Sequence, residues 1–195
     1  MGWTDYYRFT QGRRGSPLLA RALDGAVAGT ALDLGCGAGH ECRILLEAGW
    51  HVHAIDGEAA AIDAVRALAQ DLATGSLATQ VSRFEEMESL PDADLIHAGL
   101  SLPFCRPEHF AGFWSLLRGA LRPGGVFAGH LFGPNDAWAD SPLMAFHSRA
   151  EVLALLDGLE IVALEEFDAV GPGMNGPKHW HRFDIIARRP GAHPR

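Results

Sequence analysis

Short apolar runs alternate with amphipathic segments along most of this chain. The apolar runs predict strands at residues 30–34, 51–55, 77–82, 94–98, 126–132 and 159–167. Apolar residues at helical spacing predict helices at residues 17–23, 40–48, 58–71, 107–121 and 148–156. Strands and helices that alternate with short breaks are typical of a parallel sheet with helices on both faces.

The end of the chain departs from this alternation. A strand predicted at residues 159–167 is followed by a Gly/Pro-rich loop and a final strand at residues 182–188, with no helix between them. A parallel return needs a crossover of about a dozen residues or more, usually helical, so we expect the final strand to be antiparallel. The predicted architecture is therefore an α/β fold with a seven-stranded, mostly parallel sheet whose last strand is antiparallel.

The length of 195 residues suits one domain, residues 1–195, with its core in residues 30–195. Residues 1–29 are expected to form an N-terminal helical segment or a lid over the site, and both alternatives stay open. Four aromatic residues make this segment too apolar for a disordered tail: Trp3, Tyr6, Tyr7 and Phe9.

Charge and cysteine content narrow the classes of function. The 16 basic and 24 acidic residues give a formal net charge of −8, which opposes binding to nucleic acid or to an anionic membrane and favours a small-molecule partner. No signal-peptide pattern or membrane-spanning run appears, so we expect a cytoplasmic protein, a monomer or a homodimer. Cys36, Cys42 and Cys105 are odd in number and lack C-x-x-C spacing, which indicates neither a disulfide framework nor a zinc site.

A glycine-rich turn joins the first core strand to the helix at residues 40–48. Gly35, Gly37 and Gly39 follow the acid Asp33 at alternate positions. Glycine permits positive φ and lets a ligand approach backbone N–H groups closely. A dinucleotide site requires G-x-G-x-x-G, but His40 stands where its third glycine would be, which disfavours a nicotinamide-dependent oxidoreductase.

The pattern Asp33-x-Gly35-x-Gly37-x-Gly39 resembles the D-x-G-x-G-x-G signature of class I S-adenosylmethionine-dependent methyltransferases. The L-x-P-G-G turn at residues 121–125 resembles the same family, and so does the seven-strand plan. In length and strand order the chain is similar to small stand-alone methyltransferases of the tellurite-resistance type. The resemblance implies a Rossmann-like fold and S-adenosylmethionine as cofactor, with S-adenosylhomocysteine as product.

Asp56 ends the second predicted strand, about 20 residues past the first glycine, where a carboxylate can accept hydrogen bonds from both ribose hydroxyls. Its structural alternative is a helix N-cap, and the alternative for Asp33 is a buried acid satisfied by backbone amides. By family position, Phe84 and Glu85 flank the adenine, or else they are a strand-end aromatic and a capping acid. The predicted cofactor residues are Asp33, Gly35, Cys36, Gly37, Gly39, Asp56, Gly57, Phe84, Glu85, Ala98 and Leu100.

The tip of the fourth predicted strand bears on the methyl acceptor. Methyltransferases acting on DNA bases or on some RNA and protein amides carry a D/N-P-P-Y/F tetrad there, whereas this chain has residues 101–104 as Ser-Leu-Pro-Phe. Without the Asp or Asn that holds the target amine, a macromolecular amide substrate is disfavoured. We expect methyl transfer to an O, N or S atom of a small molecule; the alternative is a catalytically inactive cofactor-binding module.

Three histidines are candidates for a general base, because histidine titrates near neutrality. His179 and His181 belong to the loop predicted to overhang the methyl group, and His130 ends the fifth predicted strand. On an extended chain His179 and His181 face one side and Trp180 the other. The alternative for each is a hydrogen-bonded structural histidine, and no carboxylate cluster of a metal-dependent type accompanies them.

Overall fold

The computed structural model describes residues 15–173 and 176–191, which form one seven-stranded sheet with helices on both faces. The strands are β1 Thr30–Leu34, β2 His51–Asp56, β3 Ser76–Val81, β4 Ala93–Ala98, β5 Leu121–Phe132, β6 Glu160–Gly173 and β7 Gly176–Arg188. The helices are α1 Pro17–Leu23, α2 His40–Glu47, α3 Ala59–Ala69, α4 Pro107–Ala120 and α5 Arg149–Leu155. Every element predicted from periodicity is present. The aromatic part of the predicted N-terminal lid or helix, residues 1–14, lies outside the described residues.

The sheet order is β3-β2-β1-β4-β5-β7-β6. Strands β1 to β5 are parallel, and β7 is antiparallel to both of its neighbours, β5 and β6. Only β7 therefore runs against the other strands, which confirms the predicted reversal. No helix in the described part of the chain is long and apolar enough to cross a membrane.

Alternate residues of the strands pack into two separate hydrophobic cores, one on each face of the sheet. In β1, Ala31 packs with α1, α2 and α3, whereas Leu32 and Leu34 pack with α4 and α5 on the opposite face. Both faces of the central strands are thus buried, as a parallel sheet requires. The helix ends are specified locally as well: Ser148 and Glu151 form a reciprocal capping box at the start of α5, with 2.7 Å from the Ser148 amide to the Glu151 carboxylate.

The segment predicted as a Gly/Pro-rich loop is instead the outer half of a long hairpin. Strands β6 and β7 pair from Glu160 opposite Arg188 to Gly173 opposite Gly176, with one register shift between Ile161 and Ala163. The prediction of a loop was wrong because it rested on the Gly/Pro-rich composition, whereas β6 is an edge strand, where a residue without an N–H such as Pro172 is tolerated. Residues 168–173 and 176–181, predicted as part of that loop, therefore lie in β6 and β7.

Candidate cofactor site

A cavity opens at the carboxyl ends of β1, β2, β3 and β4. Its walls come from the glycine turn, the tip of β2, the short 3-10 helix Phe84–Glu86 and the segment after β4. The lining residues are Gly35, Gly37, Asp56, Gly57, Glu58, Ser82, Arg83, Phe84, Glu85, Gly99, Leu100, Ser101 and Phe104. This is the place where an open parallel sheet binds ligands, beside the point at which the strand order reverses.

The glycine turn is tied to the neighbouring strand by its backbone. The amides of Gly35 and Cys36 both donate to the carbonyl of Ile55, at 2.7 and 3.2 Å. A Cβ on Gly35 would lie 2.3 Å from the Ser101 Cβ, and a Cβ on Gly39 would lie 2.8 Å from the Val65 side chain. The absence of a side chain at Gly35 therefore allows the segment after β4 to pack against the turn, and its absence at Gly39 allows α3 to do so.

Asp56 projects into the cavity from the end of β2. One carboxylate oxygen accepts the Gly37 amide at 2.9 Å and the other accepts the Glu58 amide at 2.9 Å. Burial raises the pKa of Asp56, and these two hydrogen bonds oppose that rise. The carboxylate thus joins the glycine turn to the start of α3. It combines the local capping contact with a place in the cavity wall.

Asp33 lies beneath the turn and is not a cavity residue. Its side chain is 2% exposed; one oxygen lies 3.1 Å from His97 Nδ1 and the other accepts the Cys42 thiol at 3.0 Å. Asp33 and His97 are register partners on β1 and β4, which places their side chains together on one face of the sheet. The buried acid is satisfied by two side chains that sequence analysis did not connect with it.

The other predicted cofactor residues divide into two groups. Gly57, Phe84, Glu85 and Leu100 line the cavity, whereas Cys36, Gly39 and Ala98 are among the residues that form its support. Glu85 also accepts the Arg106 amide at 2.9 Å, at the N-terminus of α4. The lining residues absent from the prediction are Glu58, Ser82, Arg83, Gly99, Ser101 and Phe104. Their signal in the sequence is their position at the end of a predicted strand or in the segment that follows it.

The segment after β4 has an unusual backbone. Leu100 has φ +59°, the one positive value among the described residues other than glycine. Its amide donates to His130 Nδ1 at 3.2 Å, and the next residue, Ser101, donates its hydroxyl to the Leu34 carbonyl at 2.5 Å. The segment is therefore fastened to both β5 and β1 while it lines the cavity.

The three candidate base histidines are absent from the described lining of the cavity. His179 Nε2 lies 2.6 Å from Asp168, and His181 Nε2 lies 3.0 Å from Glu166, on the side of the hairpin opposite Trp180, as alternation predicts. His130 is buried at the end of β5 and contacts the cavity wall through the Leu100 amide. The assignment of a general base to any of them stays a prediction.

A buried ion pair stabilises the junction of the hairpin and the segment after β5. Lys178 Nζ lies 2.8 Å from Asp136, and their side chains are 9% and 0% exposed. The ammonium also lies 3.3 Å from the ring centroid of Trp138 and 3.8 Å from that of Trp180. Burial lowers the pKa of Lys178, and Asp136 opposes that change.

Comparison with known proteins agrees with this geometry. A family model described as a methyltransferase domain matches residues 31–125, a range that contains the glycine turn, Asp56 and the segment after β4. No curated protein gives a sequence match to this chain.

Solved structures match over nearly the whole chain. TehB from Haemophilus influenzae superposes with a TM-score of 0.79 at 16% identity, covering 96% of this chain and 67% of that one. The N-methyltransferase NodS from Bradyrhizobium japonicum WM9, in complex with S-adenosylhomocysteine, gives 0.69 at 18% identity, covering 95% and 87%. The 1,6-didemethyltoxoflavin-N1-methyltransferase from Burkholderia thailandensis gives 0.68 at 21% identity, covering 96% and 80%. At these identities the three structures show the fold.

Residues 31–125 match the methyltransferase-domain model, and the chain as a whole has the fold of these methyltransferase structures. The resemblance drawn from residues 33–39 is thereby confirmed, and the NodS and toxoflavin-type structures contain S-adenosylhomocysteine, the product of the expected cofactor.

Proposed function

We propose that this protein transfers a methyl group from S-adenosylmethionine to an O, N or S atom of a small molecule. The observation that carries the proposal is the Asp56 carboxylate in the cavity wall, held by the amides of Gly37 and Glu58. Each oxygen accepts one backbone hydrogen bond and retains a second lone pair. A ribose with two adjacent hydroxyls is the ligand group that such a carboxylate suits best.

The remaining residues of the site take complementary roles in this proposal. Gly35 and Gly37 offer a wall without side chains to the amino-acid part of the cofactor, and Phe84 and Glu85 flank the adenine. Gly57 and Leu100 complete the wall beside the ribose and the sulfur. A second set supports the turn from below, without contact to the cavity: Asp33, Cys36, Gly39 and Ala98.

When bound, the cofactor supplies a sulfonium methyl group that an acceptor atom displaces in line. Such a displacement depends chiefly on the position of the acceptor and the exclusion of water, so the protein can act without a dedicated base. His130 is buried, and His179 and His181 are paired with carboxylates. These observations are consistent with a mechanism that uses no dedicated base. Catalysis by positioning is therefore the mechanism we propose.

A small-molecule acceptor is supported by the acidic chain and by its structural neighbours. The formal net charge of −8 opposes nucleic acid and anionic membranes as partners. Among the neighbours, the toxoflavin-type enzyme is described with its small-molecule substrate bound. We further propose a cytoplasmic monomer or homodimer.

Calorimetric titration with S-adenosylhomocysteine and S-adenosylmethionine, with NAD as the control ligand, tests the cofactor. We expect Asp56→Ala to weaken S-adenosylhomocysteine binding by about 1.5–3 kcal/mol, the range for a hydrogen bond to a charged group. Asp63→Ala removes the same charge from α3, where the carboxylate is 74% exposed beside Arg66, and is the matched control.

Equal affinity of Asp56→Ala and wild type would restrict Asp56 to the cap and contradict its ribose role. Tight NAD binding without S-adenosylhomocysteine binding would contradict the proposed function. A screen of thiol, phenol and amine acceptors then separates an enzyme from a binding module, because the module binds cofactor without turnover.

A further inference from the structure

His130 is buried at the tip of β5, between β4 and β7. Its side chain is 10% exposed, and its Nε2 lies 3.7 Å from Asp184, its register partner on β7. Asp184 is itself held by Arg182, whose Nε donates to it at 2.7 Å. The ring is therefore fixed in orientation by neighbouring strands, with Nδ1 directed toward the segment that follows β4.

On that segment, Nδ1 accepts the Leu100 amide at 3.2 Å. Leu100 is the described non-glycine residue with a left-handed backbone, at φ +59°. An L residue with a branched side chain is strained in this region, and such strain persists only where the surroundings impose it. The hydrogen bond to His130 is one such constraint, and it acts on a residue that lines the cavity.

A second histidine shapes the same segment from below. A Cβ on Gly99 would lie 2.8 Å from Cε1 of His97, so the backbone passes directly over the imidazole of His97. The Ser101 hydroxyl then fastens the far side of the segment to Leu34 at 2.5 Å. Leu100 stands between these two restraints, and His130 accepts the hydrogen bond of its amide.

We infer that His130 is a positioning residue that holds Leu100 in its left-handed conformation and thereby preforms the cavity wall for the sulfur end of the cofactor. The inference rests on the proposed cofactor function. It assigns to His130 a role that does not involve contact with the substrate or removal of its proton.

The protonation state of His130 agrees with an acceptor role. Burial lowers its pKa to about 4; Asp184 and a hydrogen bond with the Ala98 backbone oppose this change, and the nearby His97 and Arg182 reinforce it. At neutral pH the ring is therefore uncharged, and with its proton on Nε2 toward Asp184, Nδ1 is free to accept. A protonated ring would present an N–H at Nδ1 and could not accept from the Leu100 amide.

The test compares His130→Leu with His130→Asn. Leucine keeps the bulk and removes the acceptor, whereas the Asn side-chain oxygen occupies a position close to Nδ1. We expect S-adenosylhomocysteine to bind His130→Leu about tenfold more weakly, since the partly buried Leu100 amide loses its acceptor, and His130→Asn to recover most of the affinity. His147→Leu removes another histidine whose pKa burial lowers, outside the cavity lining, and controls for lost packing.

Nuclear magnetic resonance supplies a readout that general destabilisation does not produce. The imidazole nitrogens of His130 should report an unprotonated Nδ1 at pH 7, and the Leu100 amide should lose hydrogen-exchange protection in His130→Leu but keep it in His130→Asn. A protonated Nδ1, or unchanged Leu100 protection in His130→Leu, would overturn the inference.

The two proposals fail separately. If the wild type does not bind S-adenosylhomocysteine, the proposed function is wrong, and the Leu100 amide still tests the local contact. If the wild type binds and His130→Leu binds equally well, the cofactor site stands and the positioning role is rejected.

Discussion

The cofactor end of the sheet and the hairpin of β6 and β7 contain similar polar residues, but these residues have different roles in the two regions. At the cofactor end, Asp56 and the glycine turn present carboxylate oxygens and bare backbone to a cavity. In the hairpin, the side chains of Glu166 and Asp168 are paired with His181 and His179. The difference teaches that a histidine or carboxylate near a sheet edge is a candidate for ligand binding when it lines a cavity, whereas one that is paired outside the cavity stabilises the hairpin.

Loss of Asp136 should have the largest effect and should separate the two regions. Asp136→Ala leaves the Lys178 ammonium unpaired in a buried setting and removes acceptors from the amides of Trp138 and His181. We expect unfolding free energy to fall by about 3–5 kcal/mol, the usual cost of breaking a buried ion pair from one side. Chemical denaturation measures this change.

Asp140→Ala, on the exposed surface of the same segment, is the matched control and should leave stability almost unchanged. In the folded fraction of Asp136→Ala, S-adenosylhomocysteine affinity should match wild type, because Asp136 is not among the described lining residues of the cavity. A coupled loss of affinity would show that the two regions are not independent.

As the pH falls, the stabilising contribution of His130 at the cofactor end should be lost at a higher pH than that of the hairpin carboxylates. The pKa of His130 is lowered to about 4 by burial, so between pH 6.5 and 4 the unfolded chain binds a proton that the folded chain does not. Unfolding free energy should therefore fall as the pH drops through this window, with a slope of at most about 1.4 kcal/mol per pH unit from this group. His147, whose pKa burial also lowers, adds in the same direction.

The hairpin carboxylates act in a lower window. Hydrogen bonds from Arg149 and His181 lower the pKa of Glu166, so its contribution is present above the ordinary Glu range and is lost as the pH falls through the lowered pKa. His130→Asn should flatten the slope between pH 6.5 and 4, and Glu166→Gln should change only the region below it. Denaturation at a series of pH values checks both, and an unchanged slope in His130→Asn would contradict this assignment.

Removal of His179 should have the smallest effect on stability. Its pair with Asp168 is formed by side chains that are 41% and 35% exposed, so we expect His179→Ala to cost less than about 1 kcal/mol and to leave cofactor affinity unchanged. His181→Ala, which removes a buried ring, gives the contrast within the same hairpin. Once an acceptor is found, full turnover in both variants would contradict a general base at either position.

Much of the cofactor end could be predicted because its determinants are close in sequence or repeat with a fixed period. Gly35, Gly37 and Asp56 stand at strand tips, and the carboxyl ends of parallel strands meet at one edge of a sheet. The pairing of Asp33 with His97 could not be predicted in the same way. It depends on the register between β1 and β4, which are separated in the chain by β2 and β3.

The hairpin, in contrast, could not be predicted from local sequence signals. Local turn signals in the Gly/Pro-rich segment favour a loop, but pairing along the full length of β6 and β7 outweighs them, and the edge position of β6 accommodates Pro172. That pairing directs His179 and His181 to carboxylates on β6 and away from the cavity lining. Long-range strand pairing therefore decided the surroundings of residues whose chemistry alone made them candidates for catalysis.

By itself, the sequence determined the order of strands and helices, the reversal of the final strand and the location of the glycine turn, since periodicity and chain connectivity are local properties. Only the tertiary structure decided which polar side chains face the cavity and which neutralise each other. Leu100 and His130 show the reason: they are 30 residues apart, and the hydrogen bond between them exists only because β4 and β5 lie side by side.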